Sequence, residues 1–187
     1  MSTFDRMLCA VDFSPGSGEA LRYAVALARA YDAQLLVCYC SRGVSDIGRE
    51  AVQEDIKRLV EHSVAFSAGS GVIIAPNWES LVIEGDNPAE AIARQAAEQE
   101  VDLIVMSSRR RPLRAAFLGS TTERVCHTAP CSVFVVHPND PEWVDASAGT
   151  LELQRLLVAF DFSDCAKLAL QQALSLACRY KAEIHLL

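Results

Sequence analysis

The sequence predicts a doubly wound α/β domain with a five-stranded parallel sheet, followed by the start of a second copy of that domain. Three observations carry the prediction. Short, nearly continuous apolar runs of strand length alternate with amphipathic stretches of helical period, the pattern of strands covered on both faces by crossover helices. Helix-start residues punctuate the junctions. The opening of the chain also recurs near its end.

The elements follow in order. "RMLCAVD" reads as the first strand, and Ser14 and Pro15 suit the N-cap and first position of a helix through "EALRYAVALARAY". "AQLLVCYC" is the second strand, and "DIGREAVQEDIKRLVEHSVAFS" a long helix with Ile47, Val52, Ile56, Leu59 and Val60 on one face. The third strand lies within "NWESLVIEG". After the turn "GDNP", Asn87 caps a helix that begins at Pro88 and has Glu90 at its third position. "VDLIVMSS" is the fourth strand, "STTERVCHTA" a helix and "CSVFVVH" the fifth strand.

The repeat sets the domain organisation. Placing Asp12 on Asp161 aligns Arg6–Cys38 with Arg155–Leu187 without a gap, and 13 of the 33 aligned positions are identical. Composition alone gives roughly two or three. Residues 1–138 are therefore read as a complete domain, 139–152 (within and just after the stretch "HPNDPEWVDASAGT") as a linker, and 153–187 as a strand–helix–strand start of a second domain, truncated.

Composition narrows the function. A net charge of −7 disfavours nucleic acid as a partner. No apolar run is long enough to cross a bilayer, and the acidic start does not resemble a secretory leader, so no membrane partner and a cytoplasmic location are expected. The seven cysteines form no CxxC and read as buried small hydrophobes, and no histidine pair has metal-ligand spacing. None of the histidines is accompanied by an evident nucleophile.

In doubly wound sheets a ligand sits beyond the carboxyl ends of the strands where the strand order reverses. Asp12–Ser14, Cys40 and Ser107–Thr121 are then the residues to inspect. Asp12 has two readings, a hydrogen-bond acceptor for a nucleoside or a tie for the amides of its own turn. Ser120 with Glu123 reads as a capping box on a helix start that also has N–H groups to offer a phosphate. Arg109, Arg110, Arg111 and Arg114 read as phosphate-binding guanidinium groups, as a solvated charge run or, as a minor third option, as a protein or RNA contact.

The blocks "AVDFSP", "VIEGDNPAEAI", "VDLIVMSS" and "LGSTTERVCHTAPCSVFVVHP" resemble, in this order and spacing, the universal stress protein family, over residues 3–138 and again from about 153. The resemblance implies an adenine nucleotide α-hydrolase-like fold with strand order 3-2-1-4-5. It also implies a homodimer, or an intramolecular pairing of domains, through the fifth strand (Cys131–His137). The ligand it implies is ATP or another adenine nucleotide, with Mg as an optional companion, and the activity a stress-response module with at most weak ATP hydrolysis.

By the same resemblance Asp12 matches an adenosine-contacting aspartate and Cys40 stands where a valine packs on adenine. The nucleotide set is Ala10, Val11, Asp12, Phe13, Cys40, Met106, Ser107, Arg109, Arg110, Gly119, Ser120 and Thr121. The ATP-binding branch has glycines where this chain has Ser107 and Arg110, and nine residues where Arg111–Leu118 supplies eight. Gly119-Ser120-Thr121 is kept. A Cβ at such a glycine hinders close approach of backbone to phosphate, so binding is expected to be weak or altered. The alternative is a scaffold of the same family that acts by dimerisation alone. An adenylyl transferase is disfavoured, because the chain has no HxGH pair.

Overall fold

The computed structural model describes residues 4–43, 46–66, 75–108, 119–137, 143–145 and 150–187. The chain divides into two compact units, Phe4–Thr150 and Leu151–Leu187.

The first unit contains β1 (Arg6–Val11), α1 (Pro15–Tyr31), β2 (Gln34–Ser41), α2 (Asp46–Phe66), β3 (Trp78–Glu84), α3 (Pro88–Glu98), β4 (Leu103–Ser107), α4 (Ser120–Thr128), β5 (Ser132–Val136) and the short β6 (Val144–Asp145). Its five main strands form one sheet in the order β3-β2-β1-β4-β5, with every neighbouring pair parallel. This is the expected topology. The order reverses between β1 and β4, where Ala10 stands opposite both Cys38 of β2 and Met106 of β4.

Both faces of the sheet are covered, which is why its central strands carry apolar residues without alternation. α1 packs on β1 and β4, and α2 on α1 and β3, while α3 and α4 pack on each other and on the opposite face. Leu8, Leu36, Ile104 and Met106 point into a cluster with Ile92 and Val125 from those last two helices.

Local signals hold the ends of the helices. The Ser14 side chain accepts from the Ser17 N–H at the start of α1, and Asn87 accepts from Ala89 N–H at 3.2 Å at the start of α3. Gly85 lets α3 approach β3 closely, since a Cβ there would lie 3.0 Å from the Ala91 Cβ.

The segment read as a linker is not featureless. It contains β6 and β7 (Thr150–Leu151), and Val144 is buried. The second unit contains β8 (Arg155–Val158), α5 (Asp164–Tyr180) and β9 (Glu183–Leu186), with β8 and β9 paired in parallel.

The cysteines correct one expectation. Cys9 and Cys38 are buried and Cys40 and Cys131 half-buried, but Cys126, Cys165 and Cys178 are exposed. On α4 and α5 the apolar face takes only part of each helix, so a cysteine outside it stays in water.

Candidate functional site

A cavity of about 310 Å³ opens at the carboxyl end of the sheet, over the β1/β4 reversal. Each wall follows from the fold. β1 and its turn supply Ala10, Val11 and Asp12; β2 supplies Cys38 and Cys40; the end of β4 supplies Met106 and Ser107; and the start of α4 supplies Gly119, Ser120, Thr121 and Thr122. Of the predicted residues in the described part, only Phe13 is absent from this lining. It turns back to stack on Tyr39 with ring centroids 5.0 Å apart.

The β1–α1 turn explains that departure. Phe13 has φ 59°, the left-handed region that costs a residue with a Cβ about 1–2 kcal/mol. The turn is held because Asp12 Oδ1 accepts from the Ser14 N–H at 3.1 Å and from the Ser14 hydroxyl. Asp12 therefore ties down its own turn, as one of its two readings required, and still lines the cavity.

The apolar end of the cavity is rich in sulfur, with Cys38, Cys40 and Met106 beside Ile92 and Pro88 of α3. Burial pushes the Cys40 thiol above its ordinary value, while Arg94 and Arg42 pull it partly back. Its S–H is directed at the Gly85 carbonyl at 3.7 Å.

The polar end differs from expectation in one respect. The Ser120–Glu123 capping box does not form, because the helix starts one residue earlier than that motif requires. Gly119 is the N-cap, with no side-chain cap hydrogen bond, and Ser120 is the first helical residue. Among the described residues no side chain caps the N–H groups of the first turn, which are of the kind that a ligand or water can take. Thr122 is turned the other way, donating its hydroxyl to the Ser107 carbonyl at 3.0 Å and anchoring the helix to β4.

Next to Ser107, the Ser108 N–H donates to the Val136 carbonyl at 2.9 Å and the Ser108 hydroxyl contacts His137 Nδ1. Sequence reasoning paired no histidine with a nucleophile, yet these two side chains meet because β4 and β5 end side by side. Ser108 is buried and does not line the cavity.

Arg109, Arg110, Arg111 and Arg114 lie outside the described residues. Sequence reasoning missed Ser17, Cys38, Pro88, Ile92 and Thr122 as lining residues. The signals were present for two of them. Cys38 is two residues before Cys40 on the same strand face, and Ile92 is one helical turn beyond Pro88. No group of three or more His, Cys, Asp or Glu among the described residues is arranged to hold a metal ion.

The chain was compared with known proteins. The model of the universal stress protein family matches residues 3–137. A universal stress protein of Thermus aquaticus is 35% identical over 136 residues, covering 71% of this chain and 98% of that protein. Among solved structures, a universal stress protein in complex with cAMP superposes with a TM-score of 0.56 at 20% identity, over 73% of this chain and 98% of that one. A longer universal stress protein from Archaeoglobus fulgidus superposes on 98% of this chain with a TM-score of 0.70 at 22% identity, and this chain spans 65% of its length.

Proposed function

The chain belongs to the universal stress protein family, and from that premise we propose that its first unit is a nucleotide-responsive regulatory module. It holds an adenine nucleotide, ATP or a relative, in the cavity over the β1/β4 reversal and acts through assembly rather than turnover. The observation that carries this reading is that one cavity joins a carboxylate, an apolar slot and an uncapped helix start.

The chemistry assigns each wall a role. The base packs in the slot of Cys38, Cys40, Met106 and Ile92. Asp12 accepts hydrogen bonds from the ribose hydroxyls, and phosphate oxygens take the N–H groups of Ser120 and Thr121, where the helix dipole favours negative charge. Arg109 and Arg110 are proposed to add side-chain donors to the phosphates, with Mg as an optional companion. One universal stress protein of similar fold was solved in complex with cAMP, which supports an adenine nucleotide as the ligand class.

Assembly is proposed to run through β5, an edge strand whose apolar residues invite pairing with a second copy or domain. Residues 153–187 are read as the start of a second domain of the same kind, joined by residues 139–152.

The test has two steps. Purified protein is denatured and the supernatant chromatographed for adenine nucleotide; ATP, AMP and cAMP are then titrated calorimetrically, with and without Mg. Binding by the parent and a loss of at least about tenfold in Asp12→Ala would support the reading, as expected for a lost charge-assisted bond.

A second reading, a nucleotide-independent scaffold, is favoured by the end of β4. There the Ser108 N–H is taken by the Val136 carbonyl, so that donor is not left for a phosphate. If nothing co-purifies and millimolar ATP leaves the melting temperature unchanged, the scaffold reading holds.

A further inference from the structure

Resting on the proposal that β5 pairs with a second copy, we infer that Trp143 and Val144 form an intramolecular cover over the β5 edge that this pairing must displace. The backbone of the cover is tied to α1 by the Trp143 N–H, which donates to the Tyr23 hydroxyl at 3.0 Å. The indole stands edge-on to the Tyr23 ring, with centroids 6.4 Å apart, and Tyr23 in turn leans on Phe134 of β5 at 5.9 Å. Val144 beside it is buried, while Trp143 keeps 43% of its surface in water.

A small recess of about 30 Å³ remains beneath the indole, lined by Tyr23, Phe134, Val135, Val136, His137 and Trp143. Its lining places the cover at the strand edge. The recess touches Phe134 to Val136 of β5 and His137 just beyond it, so Trp143 stands beside the strand at the margin of the sheet. That margin is where a partner strand would bind, and β5 ends the sheet. The indole keeps part of its surface in water, although the Val144 beside it is buried. Such a lid shields an apolar edge in the lone chain and yields to a partner.

The experiment measures self-association of the full chain by sedimentation equilibrium, for the parent, Trp143→Ala and Tyr23→Phe, with far-UV circular dichroism to confirm the fold. Removing the indole is expected to tighten association at least tenfold. Tyr23→Phe, which keeps the ring and loses the acceptor for the Trp143 N–H, is expected to tighten it less. Association that is unchanged or weakened in Trp143→Ala overturns the inference.

A second readout follows the cover itself. In a Trp78→Phe background, Trp143 emission is expected to shift to the red across the concentration range in which the parent associates. Emission that stays constant through that transition overturns the inference. If neither parent nor variant associates at any concentration, the β5 pairing under the proposed function fails, and this inference with it. If the parent associates and the variant matches it, only the cover is disproved.

Discussion

The turn after β1 and the turn after β8 are the same structure in two different surroundings. In both, the aspartate Oδ1 accepts from the serine N–H two residues on, at 3.1 Å for Asp12 and 3.0 Å for Asp161. The intervening phenylalanines sit at φ 59° and 64°, and the serines cap helices of 17 residues each. Both helices end on a left-handed residue, Asp32 and Lys181. Burial, by contrast, is not repeated. Leu8 is fully buried and its counterpart Leu157 is 70% exposed, and Val37 is fully buried while Leu186 is 57% exposed. Backbone conformation is thus written in the local sequence, whereas burial needs the strands and helices that follow β2 in the first unit, and among the described residues the second unit has no counterpart to them. The cavity needs them too, because half its lining comes from those elements.

The largest test of this contrast is a pair of truncations. Leu8→Ala should lower the stability of the first unit by about 2–5 kcal/mol, the range for a buried leucine. Leu157→Ala should change the chain by no more than about 0.5 kcal/mol. Urea unfolding followed by Trp78 fluorescence and circular dichroism measures both, and equal effects would break the comparison.

Next in size is an alkaline effect confined to the first unit. Burial in the core, with Cys40 adding to it, pushes the Cys38 thiol up to about 12, and burial raises Cys9 further. A thiol raised on folding stabilises the folded state fully below its unfolded value, about 8.5, and that stability is lost as pH rises through the folded value. The first unit should therefore weaken as the pH rises from about 9 to 12, and Cys38→Val should flatten the slope. Iodoacetamide should modify the exposed Cys165 and Cys178 in the folded chain and leave Cys9 and Cys38 intact.

A smaller effect should be shared by both units. Ser14→Ala and Ser163→Ala each remove an N-cap that accepts a backbone N–H, at a cost of about 1 kcal/mol. Similar losses of helical signal would sharpen the view that the two turns are locally encoded.

The smallest effect belongs to Asp161. Its carboxyl is held below the usual range by hydrogen bonds from the Ser163 side chain and backbone. A lowered value contributes above the unfolded pKa and is lost as pH falls through the folded one. In an NMR titration the Ser163 amide should move with the Asp161 carboxyl, at a pH below that of a free aspartate.

Elements and topology were legible because apolar period and cap residues act within a few positions. Ser14, Pro15 and Asn87 mark their helix starts where the structure has them. The site was legible where it lies at strand ends, through Asp12, Cys40 and Met106. What stayed hidden depends on pairs distant in sequence. The Ser108–His137 contact requires β4 and β5 to end level, and the Trp143 contact with Tyr23 spans 120 positions. The capping box failed for a local reason, since the motif leaves open which of Gly119 and Ser120 takes the non-helical place. The glycine does, with φ −58° and ψ 150°.

The bond from Thr122 to the Ser107 carbonyl has a mechanical consequence. It rivets the helix that faces the cavity to the strand beneath it, and the Ser108 N–H passes that strand on to Val136 at the rim. A charge arriving at the helix tip would press on a stiff bracket rather than a loose flap.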